Sequence, residues 1–229
     1  MPEQATVVLA HGAWADGSSW SQVIDRLHAA GRRAIAAALP LTALADDVAA
    51  LERTVERADG PVVLVGHAYA GAVIGATRHA QVKGLIYAAA LTPDEGETVA
   101  DVFARAAPHP LAPRLVPDRD GFIWLPDAVF ADAFAPQADE RTQAIMAAVQ
   151  RPIAVNCITE RVARPRWRDL PSWYRVAEED RLISSDNQHF MAGRMGAEVV
   201  ARPLDHSPMV SAPDEVVAIL LAALRALSV

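Results

Sequence analysis

The segment 62–71 combines a buried strand pattern with small residues at the spacing of a sharp turn. It reads Val-Val-Leu-Val-Gly-His-Ala-Tyr-Ala-Gly, so small residues stand two positions before and two positions after a central residue. A strand that turns directly into a helix at such residues raises its central side chain at the carboxyl edge of a sheet, the geometry of a nucleophile elbow. The central residue here is Ala68, whose methyl group cannot attack a carbonyl carbon.

The elements around this turn alternate between short apolar runs and helical patterns. Runs rich in Val, Ile and Ala are typical of parallel strands that are buried on both faces of a sheet. The sequence predicts strands at 6–10, 33–39, 61–65, 83–90, 172–177 and 198–203. It predicts helices at 18–30, 44–58, 69–80, 185–195 and 212–227. This order indicates an α/β fold, with a mostly parallel sheet flanked by helices.

The alternation stops between residues 93 and 171, where prolines recur and helical patterns cover only about 128–134 and 140–150. An irregular stretch of this length between two core strands is typical of an insertion, here one packed over an edge of the sheet. The sequence therefore predicts an α/β core at 1–92 and 172–229, with a small helical cap inserted at 93–171.

Composition restricts the partners of the protein. The 229 residues are 52% hydrophobic and 21% charged, as in an average single globular domain. The net charge of −7, without a local basic stripe, argues against a nucleic-acid partner. No run approaches the ~18–20 apolar residues of a spanning helix, and residues 1–10 carry no basic leader. We therefore expect a cytoplasmic protein without a membrane partner.

Motifs for cofactors are also missing from the sequence. It contains no Cys or His spacing that would hold zinc and no glycine-rich loop that would hold phosphate, so we expect no metal or other cofactor. The single cysteine, Cys157, cannot form an internal disulfide. The expected partner is a small-molecule substrate, and the sequence leaves open whether two copies form a homodimer.

Several segments in chain order carry a resemblance to a known family. His-Gly-Ala-Trp at 11–14 follows the first strand, and Ser-Ser-Trp at 18–20 opens the first helix. The elbow-like segment comes next, Glu-Glu-Asp-Arg at 178–181 follows a later strand, and Asp-His-Ser-Pro-Met at 205–209 precedes the last helix. Over nearly its whole length, the chain resembles small bacterial α/β-hydrolase-fold proteins of the esterase type. It is distantly similar to plant methylesterases and hydroxynitrile lyases.

The resemblance implies a role for each of these segments. Asp180 matches the acid and His206 the base of a catalytic triad, in the chain order nucleophile, acid, histidine that this fold uses. The backbone N–H groups of Ala13 and Tyr69 match the oxyanion donors. The sequence departs from the family's pattern at Ala68, where the family has serine. This difference puts acyl-enzyme chemistry in doubt.

Other residues have more than one interpretation. Rival carboxylates for the triad acid are Asp205, Glu178 and Glu179. Ser18 or Ser19 is expected to cap the first helix, and substrate contacts are assigned to Trp14, Ser18 and Trp124. The aromatic residues of the cap pack on the sheet or line an apolar pocket; they are Phe122, Trp124, Phe130 and Phe134. His67 is interpreted as structural, and Cys157 as a small buried hydrophobic residue.

Three functions are compatible with an elbow that lacks its hydroxyl. The first is an esterase for small apolar or aromatic carboxylic esters, with its serine replaced by Ala68 and its hydrolysis abolished. The second is an enzyme with a native Ala68, in which His206 and Asp180 act as a general base in lyase, decarboxylase, retro-aldol or cyclase chemistry. The third is a small-molecule binder without catalysis.

Overall fold

Six parallel strands form the central sheet of the protein in a computed structural model that describes residues 4–228. The strand order is β2-β1-β3-β4-β7-β8, and all neighbouring pairs are parallel. The strands are β1 (Thr6–Ala10), β2 (Ala34–Ala37), β3 (Val62–His67), β4 (Val82–Ala88), β7 (Ser172–Ala177) and β8 (Glu198–Arg202). The α/β architecture predicted from the sequence is confirmed, and each predicted strand is present.

Helices cover both faces of this sheet. They include α1 (Ser21–Ala29), α2 (Leu44–Val55), α3 (Ala70–Ala76), α8 (Ser185–Met195), α9 (Pro208–Ser211) and α10 (Pro213–Ala226). Successive residues of β1 point to opposite faces, since Val7 and Leu9 pack with α1 and α10 whereas Val8 packs in the core beneath α2 and α3. Burial on both faces explains why the core strands are continuous apolar runs.

The stretch 93–171 lies between β4 and β7 and has little regular structure. Its elements are α4 (Val99–Phe103), β5 (Phe122–Ile123), α5 (Asp127–Phe134), α6 (Glu140–Val149), β6 (Ile153–Ala154) and α7 (Val155–Thr159). The sequence predicts α5 and α6 but misses the two short helices and the antiparallel pair of β5 and β6. These segments are too short to show a periodicity of their own. The division into core and cap stays a prediction.

Two helix ends differ from the sequence prediction. The first helix begins as a 3-10 turn, Gly17–Trp20, whose cap is the side chain of Asp16 and not Ser18 or Ser19. The Asp16 carboxylate accepts a hydrogen bond from the Ser18 N–H at 2.8 Å. Helix α3 ends at Ala76 and not at 80, because Thr77 has an extended backbone and its hydroxyl donates to Glu52.

In the part of the chain that the structure describes, no helix has both the length and the apolar character that crossing a membrane requires. The leader prediction for residues 1–10 falls partly on residues 1–3, which lie outside the described residues.

Candidate active site

The turn between β3 and α3 has the backbone of a nucleophile elbow. Ala68 follows the last residue of β3 and has a φ of +49°, a left-handed conformation that residues other than glycine rarely adopt. The Ala68 carbonyl accepts hydrogen bonds from the N–H groups of Gly71 at 3.0 Å and Leu91 at 2.9 Å. Strain of this kind persists only where the surrounding structure fixes it, and it is common at active sites. The elbow is therefore intact, with a methyl group at its apex.

Small residues are required on both sides of the apex. A Cβ at Gly66 would lie 2.7 Å from the carbonyl oxygen of Ala70. A Cβ at Gly71 would lie 2.5 Å from the carbonyl oxygen of Leu91. Both contacts are with backbone atoms, which cannot move aside as a flexible side chain would. The glycines of the segment 66–71 are thus explained by close packing of the turn against α3 and the chain after β4.

We expect Gly71→Ala to lower the free energy of unfolding by about 1–3 kcal/mol, the usual cost of overpacking a closely packed site. A matched control is Gly193→Ala in α8, where a Cβ would meet no atom of another described segment within 4 Å. That control should raise stability by up to about 1 kcal/mol, because alanine favours the helix more than glycine. Urea unfolding midpoints measure both changes, and similar values for the two variants would contradict the packing argument.

A hydrogen-bonded pair of His206 and Asp180 lies beside the apex. The imidazole Nδ1 donates to Asp180 Oδ2 at 2.9 Å, and both side chains are buried. Asp180 Oδ1 accepts from the N–H groups of Leu182 and Ile183, and Oδ2 also accepts from Gln188. Because Nδ1 carries the donated proton, the other ring nitrogen, Nε2, is free to accept one.

The rival carboxylates for the triad acid are occupied elsewhere. Asp205 accepts from the Gln137 N–H at 2.9 Å, the Ser207 N–H at 3.0 Å and the Ser211 hydroxyl at 2.7 Å. The two glutamates bond outside the site, Glu178 to His189 and Glu179 to Gln137. Of the four candidates, the structure brings only Asp180 to the imidazole.

Two other histidines hold the loops of the site in place. His67 donates from Nε2 to the carbonyl oxygen of His206 at 2.7 Å, and its ring centroid lies 4.8 Å from that of His206. His11 donates from Nδ1 to the Gly12 carbonyl and accepts at Nε2 from the Leu39 N–H. Burial lowers the pKa of both imidazoles, so both are neutral groups that hydrogen-bond to the backbone of the neighbouring loops.

Two backbone N–H groups are free at the edge of the elbow. Ala13 and Tyr69 both border the cavity above Ala68. Within residues 4–228, neither N–H donates a hydrogen bond to another backbone or side-chain group. A pair of unpaired N–H groups beside an elbow can stabilise negative charge on a carbonyl oxygen, as the oxyanion donors of acyl-transfer enzymes do.

The cavity above Ala68 has a volume of about 310 Å³ and an almost entirely apolar wall. The chain between β4 and β7 supplies Leu91, Phe103, Ile123 and Ile153 to this wall, and the loop after β7 supplies Leu182 and Ile183. Among the described residues, no group of three or more His, Cys, Asp or Glu is placed to hold a metal ion. The cavity therefore offers a largely apolar wall with the imidazole of His206 at its border.

The structure brings most but not all of the predicted site residues together. Ala68, His206, Ala13, Tyr69 and Trp14 border the cavity, and Asp180 lies behind His206. Ser18 lies outside the cavity, and its hydroxyl bonds to Asp16. Trp124 is 47% exposed and does not border the cavity either. Neither side chain reaches a ligand bound above Ala68.

A buried carboxylate beneath Tyr69 escapes sequence reasoning. Asp47 accepts hydrogen bonds from the Tyr69 hydroxyl at 2.7 Å and the Leu41 N–H at 2.7 Å, and Cys157 lies 3.6 Å away. Burial raises the pKa of Asp47, and burial together with this carboxylate raises the pKa of Cys157 to about 12. A thiol with that pKa is a poor nucleophile at neutral pH, which agrees with its interpretation as a buried core residue.

Three features together define the α/β hydrolases. They are a parallel sheet with helices on both faces, an elbow after a core strand, here β3, and an acid–histidine pair later in the chain. Comparison with known families agrees with this class. The sequence model described as the alpha/beta hydrolase family matches residues 7–219. The chain therefore belongs to the alpha/beta hydrolase family.

Solved structures with the same fold include several enzymes. Polyneuridine aldehyde esterase aligns with a TM-score of 0.83 and 18% identity, covering 96% of this chain and 99% of that one. A pyrethroid hydrolase from Sphingobium faniae JZ-2 aligns with a TM-score of 0.83 and 20% identity, covering 98% of each chain. A histidine-to-alanine variant of tomato methylketone synthase I, complexed with β-ketoheptanoate, has a TM-score of 0.79 and 17% identity, covering 98% of this chain and 99% of that one. No curated protein sequence matches the chain.

Proposed function

We propose that the protein is an esterase-type α/β hydrolase whose cavity binds small apolar or aromatic carboxylic esters, and that Ala68 abolishes their hydrolysis in this form. The observation that carries the proposal is the buried pair of His206 and Asp180 beside an elbow that has every part except the nucleophilic oxygen. The fold shared with an esterase and a pyrethroid hydrolase supports the same reaction class.

The geometry assigns a task to each group when an oxygen is present at position 68. His206 Nε2 would take the hydroxyl proton while the oxygen attacks the carbonyl carbon of the ester. The electron pair of the carbonyl bond would move to its oxygen, where the N–H groups of Ala13 and Tyr69 stabilise the negative charge. The imidazolium would then protonate the departing alcohol, and water would release the acid from the acyl-enzyme. Ala68 removes the first step and therefore all later ones.

The experiment that tests the proposal restores the missing oxygen. The Ala68→Ser variant should hydrolyse p-nitrophenyl esters and react covalently with a fluorophosphonate probe, whereas the parent should do neither. A variant that folds but stays inert in both assays would overturn the proposal.

A second candidate function uses the site without a nucleophile. It is favoured by one observation: within residues 4–228, Nε2 of His206 has no hydrogen-bond partner although Nδ1 is held by Asp180. A base in this state can deprotonate a substrate or return a proton to it. The shared fold of methylketone synthase I, bound to a β-keto acid, supports a decarboxylation. Carbon dioxide would leave with its bonding pair passing into an enolate, whose oxygen meets the two free N–H groups. His206 Nε2, having first taken the proton of the substrate's carboxyl group, would return that proton to the enolate carbon.

For this second function, His206→Ala is expected to slow the decarboxylation of a β-keto acid by about a hundredfold or more, the usual contribution of a general acid or base. Carbon dioxide release by the parent and the variant measures the change. A suitable control is His189→Ala, since His189 bonds to Glu178 on the surface and should leave the rate unchanged. An equal rate in parent and His206→Ala would exclude the histidine from this reaction.

A further inference from the structure

A second hollow shares Trp14 with the cavity above Ala68. It is a groove of about 160 Å³ between the start of α1 and helix α6, and Ile145, Met146 and Val149 of α6 form one wall. Trp14 borders this groove and also borders the 310 Å³ cavity above Ala68. None of the other residues around either hollow borders both. Among the described residues, Trp14 is therefore the one that the two hollows share.

Contacts on several sides hold Trp14 in place. The indole Nε1 donates to the carbonyl oxygen of Ile123 at 3.0 Å, and the ring meets that of Phe134 edge to face at a centroid distance of 6.3 Å. The backbone N–H of Trp14 donates to the Arg151 carbonyl oxygen at 2.9 Å. Its φ of +58° is unfavourable for a side chain of this size. The contacts with Ile123, Phe134 and Arg151 hold Trp14 in place at the edge of both hollows.

The groove itself suits hydrocarbon. Its wall is mainly apolar, and it includes Ile145, which is 52% exposed, and Val149, which is 41% exposed. The serine hydroxyls at its rim are engaged by neighbours, since Ser18 donates to the Asp16 carboxylate and Ser19 donates to the Asp16 carbonyl. A polar ligand would find few free partners there, whereas an alkyl chain would bury exposed apolar surface.

We infer that Trp14 determines substrate specificity by closing the cavity toward the groove, so that it limits the length of the hydrocarbon chain an ester can carry. Without the indole, the groove becomes a continuation of the cavity and a subsite for longer alkyl chains. The inference rests on the proposed function, because it concerns the ligand of the same cavity. It goes further in naming the residue that sets an upper limit on ligand size.

The protein as it exists allows a direct test, because its Ala68 leaves bound esters uncleaved. A series of straight-chain p-nitrophenyl esters, from acetate to dodecanoate, is titrated into the parent and into Trp14→Ala, with affinity measured by calorimetry. Affinity should rise about fourfold for each methylene that becomes buried. In the parent, the rise should stop once the cavity is full. In Trp14→Ala it should continue over several more methylenes, so that the longest bound esters gain at least about tenfold over the parent.

Three further variants make the result specific. Trp124→Ala removes an exposed indole outside the cavity and should keep the parent limit. Ile145→Asp places a charge in the groove alone, so it should cancel the gain of Trp14→Ala for long esters while short esters bind as before. Trp14→Gly also removes the ring and relieves the positive φ, so it provides the same test if Trp14→Ala folds poorly.

The outcomes separate this inference from the proposed function. If esters bind but their affinity stops rising at the same chain length in the parent and in the Trp14 variants, the inference is overturned and the proposed function stays in place. A longer limit in the Trp14 variants that Ile145→Asp does not cancel would also overturn it, since the added chain would then lie elsewhere. Esters that bind to none of the variants would overturn the proposed function, and the inference with it.

Discussion

The Ala68→Ser variant should hydrolyse p-nitrophenyl butyrate at least about 10⁴-fold faster than the parent. Removing the nucleophile from a working triad costs about six orders of magnitude in kcat, and the residual rate comes from the oxyanion donors and substrate binding. The backbone at position 68 already has the left-handed conformation of an elbow, with a φ of +49°. The acid and the base are already hydrogen-bonded at 2.9 Å. A hydroxyl therefore enters a site that needs no other change.

The controls distinguish triad chemistry from background hydrolysis. The double variant Ala68→Ser with His206→Ala keeps the hydroxyl but removes its base, so nearly all of the gained rate should disappear. A second hydroxyl control is Ala163→Ser, because Ala163 lies in a separate surface hollow next to α2 and not in the cavity. A gain that persists without His206 would show that the histidine does not activate the serine.

The sequence predicts the fold and the elbow because both depend on local patterns. Continuous apolar runs identify buried parallel strands, and small residues around position 68 identify the sharp turn. The turn needs these residues for a local reason, since a Cβ at Gly66 or Gly71 would meet backbone atoms only a few residues away or in the neighbouring chain after β4. The acid cannot be chosen from sequence alone, because Glu178, Glu179 and Asp180 are adjacent and only the loop conformation decides which one meets the imidazole.

The wall of the cavity could not be predicted in the same way. Phe103, Ile123 and Ile153 come from separate short segments whose positions depend on tertiary packing, not on a periodic pattern. Trp124 illustrates the difficulty, because it is adjacent to Ile123 and yet points to solvent. Asp47 was missed for a related reason. Its position in the first turn of α2 is typical of a solvated acidic residue, and it is buried by tertiary contacts with Tyr69, Leu41 and Cys157.

We expect Phe134→Ala to lower the free energy of unfolding by about 3–5 kcal/mol, the usual cost of removing a fully buried aromatic ring. Phe134 is the last residue of α5 and is fully buried. Its ring lies edge to face with Trp14 and with His206, at centroid distances of 6.3 Å and 5.3 Å. Its carbonyl oxygen accepts from the Ser207 hydroxyl at 2.6 Å. Denaturant midpoints with an unchanged slope would measure the loss.

Phe103→Ala is the control, because Phe103 borders the cavity above Ala68 and is 37% exposed, whereas Phe134 is fully buried. The ring of Phe103 buries less apolar surface than that of Phe134, so Phe103→Ala should lower the free energy of unfolding by about 1 kcal/mol or less. Relative to the stability that each variant loses, Phe103→Ala should weaken ester binding more than Phe134→Ala. Phe103 borders the cavity in which the ester binds, whereas Phe134 supports His206. Equal losses of stability in the two variants would contradict the argument that the fully buried ring of Phe134 contributes more to the core than the partly exposed ring of Phe103.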